Sequence, residues 1–117
     1  MDAKLYWYKA KCVKVVDGDT ADILLDLGVD TFRKERVRLY GVNTPETFGV
    51  KRGSEEYKRG MESKAFTKSF ITGKQLYVKT IKDKSGKYGR LLVEIYVDGV
   101  CLNDELVKNG LAERKDY

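Results

Sequence analysis

Histidine is absent from this sequence, and that absence removes a wide tract of chemistry. Ser-His-Asp and Cys-His catalysis, imidazole general bases and most zinc sites cannot be built without it. Any catalysis must fall to carboxylates, Lys, Arg, Tyr or a hard metal ion. Cysteine is scarce: Cys12 and Cys101 stand far apart with no CxxC pair, which leaves out thioredoxin-like redox chemistry and Cys-rich metal centres. Both are expected as reduced thiols within strands. There is one proline, and no Pro- or Ser-rich linker, repeat or low-complexity tract, so nothing divides the chain. No run approaches the roughly 20 apolar residues of a membrane span, and the opening MDAKLYWYKAK lacks the apolar centre of a signal peptide. The expectation is no membrane partner and a cytoplasmic protein as written, secreted if a leader was removed.

What is present suits a folded domain. The 117 residues are enough for one core and too few for two, with 42% hydrophobic and 35% charged residues, so residues 1–117 are read as a single domain. Lys and Arg number 23 against 18 Asp and Glu, a net charge of +5, which favours a polyanionic partner without identifying one.

Residues 6–16, 21–27 and 33–42 are rich in β-branched and aromatic side chains and are punctuated by Asp17-Gly18 and Gly28, the pattern of three antiparallel strands. From Ser54 to Thr72 the period changes to that of a helix, with Tyr57, Met61, Ala65, Phe66 and Phe70 on one face and Gly73 at its end. Leu76, Val78 and Thr80 alternate as a fourth strand, followed by a Lys-rich loop over residues 82–87. Residues 91–97 form a fifth strand, closed by the hairpin signal Asp98-Gly99. Asn103 is placed to cap a short second helix, with Leu102 and Val107 as a hydrophobic staple and Gly110 as the stop. A mainly β (α+β) chain of five strands and two helices, the long helix inserted after the third strand, matches a five-stranded OB-fold Greek-key barrel by analogy.

Three segments place polar groups where turns expose them. Val16-Asp17-Gly18-Asp19-Thr20 sets two carboxylates about a glycine, hard oxygen donors suited to Ca²⁺ or Mg²⁺, although an ordinary Asp-Gly turn looks the same. In Arg38-Leu39-Tyr40-Gly41-Val42-Asn43-Thr44-Pro45-Glu46-Thr47 the only proline stiffens a loop that holds Asn43, Thr44 and Glu46. Lys87-Tyr88-Gly89-Arg90 leads into a strand, and its arginine offers a fork of donors for a phosphate.

Together and in this order, these runs resemble the staphylococcal nuclease family, as does the closing stretch from Leu102-Asn103 to Gly110-Leu111-Ala112. The likeness spans roughly residues 13–112. It implies a calcium-dependent nuclease that hydrolyses phosphodiester bonds of single-stranded DNA or RNA. A monomer is expected, and no motif names a protein partner. The resemblance further implies that Asp19 ligates Ca²⁺ with its carboxylate and Thr44 with its backbone carbonyl, while Asn43 stands at the second carboxylate position. Glu46 positions or deprotonates the attacking water, Arg38 and Arg90 hold the phosphate and stabilise the five-coordinate transition state, and Lys87 and Tyr88 lie near the substrate phosphate. Two departures follow. Asn43 is neutral where the family has Asp, which lowers the expected calcium affinity, and the sequence stops at Tyr117, so aromatic stacking near that end reduces to that residue. Two rivals are a catalytically inactive OB module that binds nucleic acid or a protein, and a cold-shock-like single-strand binder stacking bases on Tyr6, Trp7 and Tyr8. The second is weakened because consecutive strand residues point to alternating faces.

Overall fold

The computed structural model describes residues 6–85 and 91–115. Its first three strands, β1 (Trp7–Asp17), β2 (Thr20–Gly28) and β3 (Thr31–Leu39), follow one another by tight turns and pair antiparallel. β3 ends three residues before the sequence pattern does. Gly41 takes φ 79°, a left-handed conformation that glycine adopts without a Cβ penalty. The chain beyond it starts a separate two-residue strand, β4 (Val42–Asn43), which pairs with β8 (Glu113–Arg114). Val42 is therefore core of a small second sheet rather than the end of the third strand.

After β4 comes α1 (Glu55–Ile71). The Ser54 hydroxyl caps it by accepting from the Tyr57 amide at 3.2 Å. β5 (Leu76–Ser85) runs into what reads in sequence as a lysine-rich loop, so residues 82–85 are strand. β6 (Leu91–Val97) then turns at Asp98 and Gly99, both with positive φ as a two-residue hairpin requires, into β7 (Val100–Cys101) and α2 (Leu102–Lys108).

The large sheet runs in the order β3-β2-β1-β5-β6-β7, and a parallel pairing of β3 with β6 closes it into a barrel of five strands. Parallel neighbours need a long crossover, and here β4, α1 and β5 supply it. The inward positions are apolar: Ile23, Val37, Leu76, Val78, Val93 and Ile95 are fully enclosed, joined by Ile71 of α1 and by Leu102 and Leu106 of α2. Each such aliphatic side chain contributes roughly 1.5–3 kcal/mol by leaving water. Cys12 and Cys101 are free thiols.

Two expectations about the helices are corrected. In α1 the buried residues are Gly60, Ser63, Thr67 and Ile71, whereas Met61 is 40% exposed and Ala65 is exposed; Phe66 and Phe70 are half-buried. The contact face is small and polar because the helix lies almost on backbone. A Cβ at Gly60 would sit 2.7 Å from Thr47 Cγ2, 2.8 Å from the Pro45 carbonyl oxygen and 2.9 Å from that of Glu46. A Cβ at Gly18 would sit 2.8 Å from Ser63 Cβ and 3.0 Å from Thr44. Hydroxyls finish the contact, with Thr67 donating to the Gly18 carbonyl at 2.7 Å and Ser63 to the Leu111 carbonyl at 2.6 Å.

Asn103 does not cap α2. That position belongs to Cys101, which makes no side-chain capping bond, and Leu102 opens the helix instead of preceding it. The buried Asn103 amide bolts the barrel seam: its Nδ2 donates to the Tyr40 and Val93 carbonyls at 2.9 and 3.1 Å, and its Oδ1 accepts from the Ile95 amide at 3.3 Å.

Replacing Gly60 with Ala should destabilise the protein by about 1–3 kcal/mol in urea unfolding, because the clash with two carbonyls outweighs the roughly 1 kcal/mol of helix propensity gained; a stabilised variant would refute the close contact. Asn103→Leu, which removes three hydrogen bonds to backbone at the seam, should cost about 3 kcal/mol in the same assay, and a loss below about 1 kcal/mol would show that the seam does not depend on it.

Candidate functional site

Two turns on the same end of the barrel build the site. The first is the residue 17–20 turn between β1 and β2, where Gly18 lets α1 press down from behind. The second is the segment after β4, where Pro45 directs residues 44–47 across the first turn. The two are tied directly. The Thr44 amide donates to Asp19 Oδ2 at 3.2 Å, and the Thr47 hydroxyl donates to Asp17 Oδ1 at 3.2 Å. The Thr20 hydroxyl donates to the other Asp19 oxygen at 3.0 Å.

Arg38 comes from the last turn of pairing between β2 and β3, directly opposite Thr20. Its Nη2 donates to Asn43 Oδ1 at 3.0 Å and to the Val42 carbonyl at 3.4 Å, and it lies 3.4 Å from Asp19 Oδ2. With side-chain exposures of 12% for Arg38 and 7% for Asp19, this ion pair is largely out of water, where charges must be matched. Arg38, Asp19, Asn43 and Thr44 thus form one connected group. Glu46 is exposed on the rim of a groove of about 510 Å³ that it shares with Asp17, Asp19, Arg36, Arg38 and Phe48.

Burial pushes the Asp17 carboxyl above the ordinary aspartate value of 3.8, and the charges of Asp19 and Glu46 push the same way against hydrogen bonds from the Gly18 amide and Thr47. Three carboxylates therefore crowd one end of the groove, and the site favours added positive charge. Asp19 Oδ2 and Asn43 Oδ1 converge on one cationic nitrogen, and the buried Thr44 hydroxyl has no hydrogen-bond partner among the described residues. All these donors are hard oxygens, the chemistry that Ca²⁺ and Mg²⁺ select. Among the described residues no three Asp, Glu, Cys or His side chains gather into a metal cluster. A cation held here would draw on Asn43 and backbone oxygen as well as carboxylate.

Of the residues singled out in the sequence, Asp19, Arg38, Asn43, Thr44 and Glu46 are brought together. Arg90, Lys87 and Tyr88 lie outside the described residues. Asp17, Thr47 and Arg36 belong to the same groove without having been singled out for roles. Asp17 and Thr47 stood inside the motif runs. Arg36 could have been found from its position two residues before Arg38 on one strand face; it forms a two-point ion pair with Asp22 at 2.8 and 3.2 Å. That pair holds the Asp22 carboxyl below its ordinary range. In the aromatic run around the start of β1, Tyr8 packs on the core and Trp7 lies against Tyr96 with ring centres 5.1 Å apart.

Residues 36–117 match the family described as staphylococcal nuclease homologue. The chain is similar to the thermonuclease of Staphylococcus hyicus, 34% identical over 107 residues that cover 92% of this chain and 59% of that protein. It is also similar to the thermonuclease of Staphylococcus intermedius, 38% identical over 104 residues, 89% of this chain and 58% of that protein. A third relative is the SPbeta prophage-derived endonuclease YokF of Bacillus subtilis (strain 168), 35% identical over 100 residues, 85% of this chain and 31% of that protein. The chain thus spans about three fifths or less of the length of these curated relatives. Matching over most of its length, in a closed five-stranded barrel with two helices, the chain belongs to the staphylococcal nuclease homologue family.

Proposed function

We propose that this chain is a calcium-dependent nuclease that hydrolyses phosphodiester bonds of DNA or RNA. The observation that carries the reading is the juxtaposition, in one groove, of a shielded arginine, a buried carboxylate and an exposed glutamate: Arg38, Asp19 and Glu46. Hydrolysis of a phosphodiester needs a water nucleophile, an acceptor for its proton and positive charge around a phosphorus that gains negative charge. The relatives named thermonuclease and endonuclease support the same substrate class.

In this reading Asp19 through its carboxylate, Asn43 through its amide oxygen and Thr44 through its backbone carbonyl hold Ca²⁺. When bound, the ion supplies charge neutralisation at the phosphate and eases ionisation of water. Glu46, on the rim and open to solvent, orients the attacking water and takes its proton. Arg38 turns its donors from Asn43 and Asp19 to the phosphate oxygens as charge builds there, and Arg90 is assigned the second such role. Lys87 and Tyr88 are assigned to the flanking phosphate. The substrate is taken as single-stranded DNA or RNA, as the family resemblance implies.

The test is cleavage of denatured DNA and of RNA with calcium and with chelator. Calcium-dependent cleavage should fall by about 10²–10⁴-fold in kcat in Glu46→Gln and by about 10²–10³-fold in Arg38→Ala. No cleavage at millimolar calcium, with salt-sensitive binding of single strands retained, would overturn the nuclease reading in favour of a binding module. Asn43→Asp should tighten calcium binding about tenfold in calorimetry, because affinity follows the number of charged ligands; unchanged or weaker binding would remove Asn43 from the ligand set.

A further inference from the structure

The outer face of the first three strands carries a ladder of charge that ends at the site. Residues directly opposite one another in adjacent strands share a face, and the register places them in rungs. Lys9, Asp26 and Phe32 form the outermost rung, then Lys11, Leu24 and Lys34, then Lys14, Asp22 and Arg36, and finally Thr20 and Arg38. The third rung depends on a bulge in β1 between Cys12 and Lys14, which skips the apolar Val13 and sets Lys14 opposite Asp22. Rungs two residues apart lie about 6.8 Å from each other, so Phe32 stands roughly 20 Å from Arg38 along β3.

Five cations precede Arg38 on this face against two carboxylates, and both carboxylates are engaged by the protein. Asp22 is paired with Arg36, and Asp26 Oδ1 accepts from the Gly28 amide at 2.8 Å. Lys9, Lys11, Lys14 and Lys34 are exposed, and none makes an ion pair among the described residues. At the far end Phe32 is 56% exposed and, with Lys9, Lys11, Leu24 and Asp26, lines a separate groove of about 260 Å³. An aromatic ring left half in water beside two lysines has the make-up of a base-stacking position.

We propose that this face is an extended binding track for single-stranded nucleic acid: the strand leaves the groove at Arg38, its phosphates pass Arg36, Lys34 and the lysines of β1, and a base stacks on Phe32. The inference rests on the reading of the groove as a phosphodiester site, because the track takes its direction from Arg38. Cations repeated along a strand at a pitch comparable with that of phosphates in an extended polynucleotide fit this occupant. Contacts of this kind position the substrate and carry no sequence preference.

The test compares wild type, a Lys9→Ala/Lys11→Ala/Lys34→Ala variant and Phe32→Ser, each checked for an unchanged circular dichroism melt. An oligothymidylate longer than the roughly 16 nucleotides that one OB fold covers is bound in chelator across a range of salt, and a dinucleotide is cleaved with calcium. The triple variant should bind the long strand at least about tenfold more weakly and flatten the salt dependence by about two units of slope, about 0.7 for each phosphate that is no longer neutralised. Phe32→Ser should weaken binding about tenfold with the slope unchanged. Dinucleotide cleavage should not change in either. Equal affinity and slope in the triple variant would overturn the track, as would a loss confined to binding of phosphatidylglycerol vesicles, which would reassign the face to an anionic membrane. If wild type fails to cleave but the triple variant still loses the long strand, the nuclease reading falls and the track stands.

Discussion

Helix α1 approaches the rest of the protein so closely that a methyl group will not fit at two places, Gly18 and Gly60, and the site exists because of that approach. Residues 17–20 and 44–47 are turns, and turns on a barrel rim are ordinarily its loosest parts. Here they are clamped between the barrel and a helix whose facing side chains are Gly60, Ser63 and Thr67. The hydroxyls of Ser63 and Thr67 take up backbone carbonyls at Leu111 and Gly18 that the helix would otherwise bury unpaired. With the backbone fixed from behind, the bonds from Thr44 to Asp19 and from Thr47 to Asp17 need only set side chains, and the arginine on β3 meets a prepared set of oxygens.

That same close approach explains what the sequence displayed and what it hid. The strands were legible, because a period of two in β-branched residues has few other meanings, and so was the existence of the long helix. Its buried face was not. Periodicity arguments look for large apolar side chains, and Tyr57, Met61 and Ala65 offered a plausible stripe, whereas the true contact is selected for smallness against backbone. Asn103 was misplaced for a related reason. An asparagine ahead of a helix resembles a cap, and only the seam between β3 and β6 reveals that its amide is spent on backbone there. The site was legible as a set of motif runs, since Asp19, Arg38, Asn43, Thr44 and Glu46 do converge. The part played by Asp17 and Thr47 in locking the two turns together could not be read from spacing, because it depends on a hydrogen bond across 30 residues.

Charge is sorted by region in a way the net value conceals. Asp17, Asp19 and Glu46 gather at one end of the groove, raising the affinity of one carboxyl for its proton, while lysines and arginines fill the outer face of β1 and β3. On the proposed reading, a polyanion would meet a basic approach and then an acidic end suited to a compensating cation. Between the two sits Arg38, the last residue of the basic row and the partner of the acidic one.

The position of Arg38 couples two kinds of ligand. Its guanidinium occupies the oxygens of Asp19 and Asn43, so an anion that draws it away uncovers those oxygens, and a cation that takes them releases the guanidinium. Each event removes a cost from the other. Thermodynamic linkage makes such assistance reciprocal and equal in free energy. Cation and anion would therefore bind with positive cooperativity through a single side chain, without any movement of the barrel.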